Sequence, residues 1–298
     1  MKTLADIADN DGTFAIIAMD QRNTLRRMFD AVGEEPTDYA MGQAKVDVAS
    51  FLSPNATGLL LDPTFGVPAV RDAGALATTC GLLVAAEPSE RGNFNGEPRA
   101  HRIESQGGQW VLEQGGDALK FLVQVNVLRT TKPGEPDLVG EVVEVVRQVV
   151  EDCRAAGVPS VIENLVYSLP GEEKLSGDRK AEAIIESAAV LSEVGMDLLK
   201  LEYPGSPDAC RRLSKVLTVP WAVLSAGVDF DEFTHVLQVS CDEGGASGFI
   251  AGRALWKESI GMSGPQRESF FTEISVPRLE ACREAIAGRA RPWTEGGR

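Results

Sequence analysis

The chain has 298 residues, of which 43% are hydrophobic, so it is long enough for one large domain or two small ones with an ample core. Its formal net charge of −15 argues against nucleic acid or an anionic membrane surface as a partner, although a small anionic substrate can still occupy a local cationic pocket. No segment approaches roughly 18 consecutive apolar residues, and the N-terminal segment lacks a signal-peptide pattern, so we expect a cytoplasmic protein without a membrane span.

Cysteine and histidine usage limits the chemistry further. The two histidines, His101 and His235, are too few for a histidine-rich zinc site. The five cysteines lie far apart and form no C-x-x-C pair, which indicates reduced thiols rather than a disulfide framework. We therefore expect neither a metal nor another cofactor.

Short β-rich runs alternate with longer segments of helical period along the whole chain. The runs cover residues 14–19, 58–62, 81–86, 118–123, 159–163, 197–202, 220–225 and 246–251. Glycines expected to cap the preceding helix stand before four of them, at Gly116, Gly157, Gly195 and Gly245.

Alternating βα units imply a parallel sheet, and eight of them predict an α/β fold of the (β/α)8 TIM-barrel type. We expect a single domain over residues 1–298 with a short N-terminal helix and a C-terminal helical tail. The alternative is an open doubly wound sheet, which requires a glycine fingerprint after the first strand. This chain has Asp20-Gln21-Arg22 there.

Polar side chains recur at the carboxyl ends of the predicted strands, where barrel enzymes carry their active sites. They are Asp20, Asp62, Lys120, Glu163, Lys200, Glu202 and Ser225. Period-two alternation places them on the inward face together with Ile16, Ala18, Leu60, Val161, Leu198 and Val223. The outward positions Leu59, Leu61, Leu119, Phe121, Val123, Leu199 and Leu201 are apolar, as residues that face helices should be. Scattered ion pairs across strand ends are the structural alternative.

Lys200 is the most informative of these residues because it lies in an otherwise apolar strand. A buried ammonium is costly unless it is paired or its pKa is lowered. An amine with a lowered pKa is the nucleophile of Schiff-base chemistry. The alternative is a core lysine that pairs with Glu202 or reaches solvent.

The loops after the last two predicted strands carry a second signal. Ser225 and Gly227 follow strand seven, and Gly252 and Arg253 follow strand eight into a helix. Phosphate sites of this fold are built from these loops, where glycine permits close backbone approach and arginine binds phosphate oxygens. Small residues also end strands for steric reasons alone.

These motifs together resemble class I ketose-phosphate aldolases of the tagatose-1,6-bisphosphate aldolase type, and they are similar to 6-deoxy-6-sulfofructose-1-phosphate aldolases. The matching stretches are Ala18-Met19-Asp20-Gln21-Arg22, Leu61-Asp62-Pro63, Ala118-Leu119-Lys120-Phe121-Leu122, Ile162-Glu163, Leu199-Lys200-Leu201-Glu202-Tyr203-Pro204, Leu224-Ser225-Ala226-Gly227-Val228, Ala251-Gly252-Arg253-Ala254-Leu255-Trp256 and Pro292-Trp293-Thr294-Glu295.

The resemblance implies a role for each matching residue. Lys200 matches the Schiff-base lysine and Glu163 the acid/base carboxylate, and Lys120 and Asp20 support the chemistry. Gln21 and Asp62 are expected to bind substrate, and the phosphate site matches Ser225, Gly227, Gly252 and Arg253.

The implied activity is a metal-independent retro-aldol cleavage through an imine on Lys200. Burial and the like charge of Lys120 are expected to favour the neutral amine of Lys200. The expected substrate is a ketose 1-phosphate with an anionic C6 group, such as tagatose or fructose 1,6-bisphosphate, cleaved to dihydroxyacetone phosphate and an aldehyde. We also expect a homo-oligomer.

Three alternatives remain open. The first is cleavage of the C6 sulfonate, 6-deoxy-6-sulfofructose 1-phosphate. Another imine-forming reaction, such as a transaldolase or dehydratase activity, is the second. The third is a catalytically silent barrel that binds sugar phosphates.

The loop after the third predicted strand matches neither branch of the resemblance. Its arginines Arg91, Arg99 and Arg102 are predicted to be solvated loop charges rather than ligands of a second anion. If a C6 anion is bound, Arg22 and these three are the candidates.

Overall fold

A computed structural model of the protein describes residues 1–297, and its centre is a closed barrel of eight parallel strands. The barrel strands are β1 (Phe14–Met19), β2 (Gly58–Leu61), β3 (Gly81–Ala85), β6 (Ala118–Gln124), β7 (Ser160–Leu165), β8 (Leu198–Glu202), β9 (Trp221–Leu224) and β10 (Gly248–Ala251). The two remaining strands, β4 (Gly92–Phe94) and β5 (Glu97–Arg99), form an antiparallel hairpin after β3. Around the barrel the strands follow chain order, and β10 closes it against β1.

Helices surround the barrel and connect its strands. They are α1 (Asn23–Ala31), α2 (Asp38–Leu52), α3 (Gly66–Asp72), α4 (Gly108–Glu113), α5 (Leu138–Ala156), α6 (Gly177–Ser192), α7 (Pro207–Val216), α8 (Phe230–Asp242), α9 (Arg253–Trp256), α10 (Gly264–Phe270) and α11 (Val276–Ile286). A π-helical segment, Phe271–Ser275, joins the last two. Within residues 1–297, no helix has the length and apolar character needed to cross a bilayer.

The predicted barrel is confirmed, because all eight strands lie where the sequence placed them, with ends that differ by two residues at most. Gly157, Gly195 and Gly245 adopt positive φ as predicted for the ends of their helices. At the fourth position the prediction is wrong by one residue. Gly115 has the positive φ, of 79°, whereas Gly116 is packed against the side chains of Val111 and Val84.

The core has two layers. The larger layer lies between the strands and the helices, and the smaller one fills the barrel interior. Leu4 and Ile7, from the 3-10 helix Leu4–Ile7, belong to the interior layer and close the barrel at its amino end, where Asp6 lies against Gly81. Trp293 packs on the same layer and donates its backbone N–H to Gly12. This end is filled, so polar groups gather at the opposite, carboxyl end of the barrel.

For the apolar residues, the predicted strand faces are confirmed except on β9. The seven predicted outward residues all belong to the outer layer. On β9, Val223 also lies in the outer layer and Ala222 points inward, which reverses the predicted phase. The strand is apolar and buried on both faces, so hydrophobic alternation carried no information about its phase. Ser225 nevertheless reaches the carboxyl end of the barrel, because it lies beyond the last residue of the strand.

Candidate active site

One buried lysine organises the carboxyl end of the barrel. Lys120, on β6, is 1% exposed and donates to three carboxylates. Its Nζ lies 2.7 Å from Oδ2 of Asp20, 2.8 Å from Oε1 of Glu87 and 2.8 Å from Oε2 of Glu163. The carboxylates come from the ends of β1 and β3 and from β7, so a single ammonium connects four strands. Asp62, at the end of β2, is not among the ion-pair partners of Lys120.

Lys200 lies directly beside this cluster. Its Nζ is 3.0 Å from Oε2 of Glu163, the same oxygen that Lys120 contacts. Glu163 and Lys200 are register partners on the parallel strands β7 and β8, so their side chains leave the sheet on the same face. The alternative pairing of Lys200 with Glu202 is not present. Glu202 binds Lys180 at 2.8 Å instead.

The cluster holds a fixed set of charges at neutral pH. Burial by itself would raise the pKa of Glu163, but the ammonium groups of Lys120 and Lys200 outweigh burial and lower that pKa. The same balance holds the pKa of Asp20 far below its usual range. Burial acts to lower the pKa of Lys120, yet its three carboxylate partners raise it well above the usual value. At neutral pH Lys120 is therefore cationic, and Asp20 and Glu163 are anionic, in the resting protein.

Two adjoining cavities, of about 240 Å³ and 290 Å³, open over the cluster. They share Gln21, Glu163, Leu165, Lys200 and Arg253. We call the cavity that also contains Arg22 and Arg91 the hairpin-side cavity, and the one that also contains Ser225 and Gly252 the strand-nine cavity. Lys200 lies where the two meet, so one molecule can occupy both with its reactive centre at the lysine.

The hairpin-side cavity carries positive charge inside an acidic protein. Five cationic and three acidic side chains line it: Arg22, Arg91, Lys120, Lys200 and Arg253, with Asp20, Glu87 and Glu163. The surplus of cations favours an anionic ligand despite the net charge of the chain.

The residues predicted to bind phosphate lie together at the strand-nine cavity. Ser225 and Gly252 line it, and Gly227, with φ of 81°, packs against the guanidinium of Arg253. A Cβ on Gly227 would lie 3.3 Å from Cζ of Arg253, and one on Gly252 would lie 2.4 Å from the carbonyl oxygen of Ala18. Glycine at both positions lets β10, its loop and Arg253 approach closely.

Two polar groups of the cavities have no protein partner. Arg253 makes no ion pair with any carboxylate among residues 1–297. The Oε1 atom of Gln21 is buried and accepts no hydrogen bond from the described chain. A substrate in the cavities would satisfy both groups, which a purely structural role leaves unexplained.

Asp62 is not in the place that was predicted for it. The side chain is fully buried, lines neither cavity, and pairs at 2.7 Å with Lys45 of α2. Its oxygens also accept from the backbone N–H groups of Thr64, Phe65 and Gly66. The carboxylate is therefore fully used within the protein and holds the turn after β2, whereas the sequence suggested a substrate contact.

Lys45, which the sequence did not single out, extends this support to the active site. It is buried in α2 and donates to the carbonyl oxygens of Met19 and Gln21, at 2.6 Å and 2.9 Å. Those residues flank Asp20, so the Lys45–Asp62 pair holds the first loop of the site. A lysine on the otherwise apolar face of α2 was the available sequence signal.

In the loop after β3 one site residue, Glu87, was missed, and another, Arg91, was predicted only as the alternative to a solvated charge. Glu87, 4% exposed, also accepts from the backbone N–H of Leu122. Its position directly after a strand was a usable signal. Arg91 was predicted to be a solvated loop charge, but it lines the hairpin-side cavity. Arg99 and Arg102 lie outside the site and pair with Glu141 and Asp152 of α5.

Comparison with known proteins identifies the family. A family model described as DeoC/LacD family aldolase matches residues 14–258. The chain belongs to the DeoC/LacD aldolase family. It is accordingly an aldolase, an enzyme that acts on carbon–carbon bonds, and the predicted family resemblance is confirmed.

Curated relatives of this DeoC/LacD aldolase match over nearly their whole length. It is 26% identical to tagatose 1,6-diphosphate aldolase of Lactococcus lactis subsp. lactis, over 99% of this chain and 97% of the relative. It is 28% identical to tagatose 1,6-diphosphate aldolase 2 of Streptococcus pyogenes serotype M1, over 96% of this chain and 94% of that protein.

Solved structures of low identity share the barrel fold of this DeoC/LacD aldolase. An archaeal fructose 1,6-bisphosphate aldolase matches with a TM-score of 0.60 at 18% identity, over 96% of this chain and 100% of that one. The fructose-bisphosphate aldolase of Plasmodium falciparum matches with a TM-score of 0.69 at 15% identity, over 97% and 95% of the two chains.

We expect Lys120→Met to destabilise the protein by about 3–5 kcal/mol at pH 8, because it leaves buried carboxylates without their common cation. Without that cation burial raises the folded pKa of Asp20 and Glu163, so the variant regains stability as the pH falls. In the wild type, the pKa values of both groups lie below their unfolded values of about 4. Both groups are therefore ionised in the folded and the unfolded state above pH 5, so their effect on the free energy of unfolding stays constant between about pH 5 and pH 8. The loss of unfolding free energy in Lys120→Met should therefore be smaller at pH 5 than at pH 8. Urea unfolding at both pH values measures it.

The control for that measurement is Lys257→Met, which removes a lysine whose partner Asp229 is 92% exposed. It should change the free energy of unfolding by less than about 0.5 kcal/mol at either pH. An equal loss of stability at pH 5 and pH 8 in Lys120→Met would contradict the assigned charge states.

Proposed function

We propose that this protein is a class I, Schiff-base aldolase. Its proposed substrate is a ketose 1-phosphate with an anionic group at C6, which it cleaves to dihydroxyacetone phosphate and an aldehyde. One observation carries the proposal: Oε2 of Glu163 lies within 3.0 Å of both Lys120 and Lys200, at the junction of two cavities. This arrangement supplies a nucleophilic amine, a proton carrier and a permanent cation in one place.

Lys200 is the proposed nucleophile, because it lies at the junction and contacts only one carboxylate. Lys120, by contrast, is held by three carboxylates and has a raised pKa, so it stays protonated. A protonated amine has no lone pair for attack. The neutral amine of Lys200 attacks C2 of the ketose, and the resulting carbinolamine loses water to form an iminium ion.

Glu163 is the proposed acid/base group of these steps. Its shared oxygen contacts Nζ of Lys200, so Glu163 can accept the proton that the Lys200 ammonium loses before the attack. A second proton moves from the attacking nitrogen to the former carbonyl oxygen, and Glu163 returns the first proton to that hydroxyl, which leaves as water. The lowered pKa of Glu163 keeps it ionised, and therefore ready to accept a proton, in the resting enzyme.

Carbon–carbon cleavage then uses the iminium as the electron sink. A base removes the proton of the C4 hydroxyl, the C3–C4 bond breaks, and its electron pair moves onto C3 to form an enamine on Lys200. The C4 end leaves as an aldehyde. Protonation at C3 and hydrolysis of the renewed iminium release dihydroxyacetone phosphate. Asp20, which is ionised in the resting enzyme and lines the hairpin-side cavity, is the proposed group that orients or deprotonates the hydroxyl.

The two cavities support a substrate with an anion at each end. We assign the C1 phosphate to the strand-nine cavity, where Ser225, Gly252 and Arg253 converge. We assign the C6 anion to the hairpin-side cavity, which Arg22 and Arg91 line. Two guanidinium groups suit a phosphate, with up to two charges, better than a sulfonate with one, and the curated relatives named above are tagatose 1,6-diphosphate aldolases.

Borohydride added during turnover should trap a covalent adduct on Lys200, because imines are reduced to stable amines. Peptide mapping by mass spectrometry locates the adduct. Lys200→Ala should abolish both the adduct and turnover, which also tests the alternative of a silent sugar-phosphate-binding barrel. An adduct mapped to Lys120 would refute the assignment.

The substrate proposal predicts the highest kcat/KM for a ketose 1,6-bisphosphate. The comparison uses tagatose 1,6-bisphosphate, fructose 1,6-bisphosphate and 6-deoxy-6-sulfofructose 1-phosphate, with the aldehyde products identified. A preference for the sulfonate would favour the sulfosugar alternative. Products other than dihydroxyacetone phosphate and an aldehyde would indicate a different imine chemistry.

Binding and chemistry should separate in two variants. Arg253→Ala should raise KM by about tenfold or more, because a phosphate contact acts in the ground state and transition state alike. Glu163→Gln should mainly lower kcat, by about 10²–10⁴, because proton transfer acts in the transition state. Arg289→Ala is the control, since Arg289 pairs with Asp242 on the surface. An unchanged KM in Arg253→Ala means that the phosphate site lies elsewhere.

A further inference from the structure

The β4–β5 hairpin is the one piece of sheet outside the barrel, in the part of the chain that the structure describes. Its turn is formed by Asn95 and Gly96, which both have positive φ, as two-residue hairpin turns require. The hairpin stands over the carboxyl end of the barrel, with Gly96 close to Pro170 of the loop after β7.

A buried carboxylate anchors this hairpin. Glu97, on β5, is only 7% exposed, and both of its oxygens lie 3.0 Å from Nε of Arg129 in the loop after β6. The Tyr167 hydroxyl, from the loop after β7, donates to Oε2 of Glu97 at 3.0 Å. We call Glu97, Arg129 and Tyr167 the hairpin clamp, because they join β5 to the loops of two barrel strands.

The hairpin clamp is buried and its charged groups are all paired, which is unusual for a loop that only covers the surface. The side chain of Arg129 is 4% exposed, and its other nitrogens donate to Thr131 and Glu135. Burying ions is costly, and it is tolerated when every charge is paired and hydrogen-bonded, as it is here. The outer contact of the hairpin, Arg99 with Glu141, is exposed and contributes little by comparison.

Arg91 is the residue that the hairpin carries into the active site. It immediately precedes Gly92, which pairs with Arg99 in the hairpin register. Its guanidinium donates to Gln124 at 2.9 Å, lines the hairpin-side cavity, and forms no ion pair within residues 1–297. Arg22, across the same cavity, donates to the carbonyl oxygen of Glu87. Both guanidinium groups thus keep donors for a ligand.

We propose that the β4–β5 hairpin is the specificity element for the anionic end of the substrate remote from the C1 phosphate. Arg91 contacts that anion, a doubly charged oxyanion of the phosphate-ester type, and the hairpin clamp positions Arg91. The proposal rests on the proposed aldolase function and adds a residue network that makes no contact with the reacting carbons.

Positioning matters here because arginine loses much side-chain freedom when it binds a ligand. A guanidinium already held by Gln124, on a hairpin that the clamp fixes, loses less freedom on binding than one on a mobile loop. Weakening the clamp should therefore reduce recognition of the C6 anion while Lys200 and Glu163 remain in place on β8 and β7.

The test measures one ratio: kcat/KM for the preferred C6-anionic ketose 1-phosphate divided by kcat/KM for the same sugar 1-phosphate without a C6 anion. The ratio should be well above one in the wild type. Arg91→Met should lower it about 10–100-fold, the range expected for a charged hydrogen bond. Glu97→Gln should lower it in the same direction, and Tyr167→Phe, which removes one hydroxyl, about 2–10-fold.

Arg99→Met is the matched control, because it changes an exposed arginine of the same hairpin that lies outside the cavity. It should leave the ratio and the turnover of both substrates unchanged. Circular dichroism and urea midpoints identify a variant that fails to fold. If Glu97→Gln fails to fold, Tyr167→Phe still tests the hairpin clamp.

The outcomes separate this inference from the proposed function. A wild-type ratio near one, with the Lys200 adduct still formed, overturns the specificity role and the proposed preference for a C6 anion but not the Schiff-base chemistry. An unchanged ratio in Arg91→Met, with the Lys200 adduct still formed, overturns the specificity role alone. A ratio that falls in Arg91→Met but not in the clamp variants overturns the positioning role. No turnover and no adduct with any ketose 1-phosphate overturns the aldolase proposal and this inference together.

Discussion

The burial of the Lys120 ammonium is the constraint on which the carboxyl end of the barrel depends. A buried ammonium without partners costs several kcal/mol, so the fold must supply carboxylates at hydrogen-bonding distance. It supplies them from β1, β3 and β7, and the strands of the sheet are thereby fixed to one another at the end where the chemistry takes place. Glu163 contacts both Lys120 and its register partner Lys200 through the same oxygen.

A second buried pair, Lys45 with Asp62, has a purely structural role. Both side chains are fully buried, and the lysine comes from a helix of the outer ring. Burial acts to lower the pKa of Lys45, and that effect exceeds the opposing influence of Asp62. Asp62 and Asp20 thus stand at equivalent ends of neighbouring strands, yet only Asp20 faces the cavity. Asp20 pairs with Lys120 of the barrel strand β6, whereas Asp62 pairs with Lys45 of the outer helix α2.

Three of the five cations of the hairpin-side cavity follow the ends of strands, and the other two lie on strands. Arg22 follows β1, Arg91 follows β3 and Arg253 follows β10, whereas the strands contribute the central lysines and Glu163. The division is physically reasonable, because strand positions are rigid and suit groups that must meet within about 3 Å, while loops adapt to different ligands. Under the proposed function, substrate choice resides mainly in the residues after the strands, and the imine chemistry resides in the barrel.

The barrel, its eight strands and the family were predictable from the amino-acid sequence, because strand and helix periods and strand-end motifs are local. It also located Lys120, Glu163, Lys200 and Asp20 at one end, since parallel strands share that edge. Their chemical roles stay predictions. Which charged groups contact one another could be seen only in the folded protein. Asp62 pairs with Lys45, Glu87 pairs with Lys120, Val223 faces outward, and Arg91 lines the hairpin-side cavity. These four features depend on contacts between segments far apart in the chain, so local patterns could not predict them.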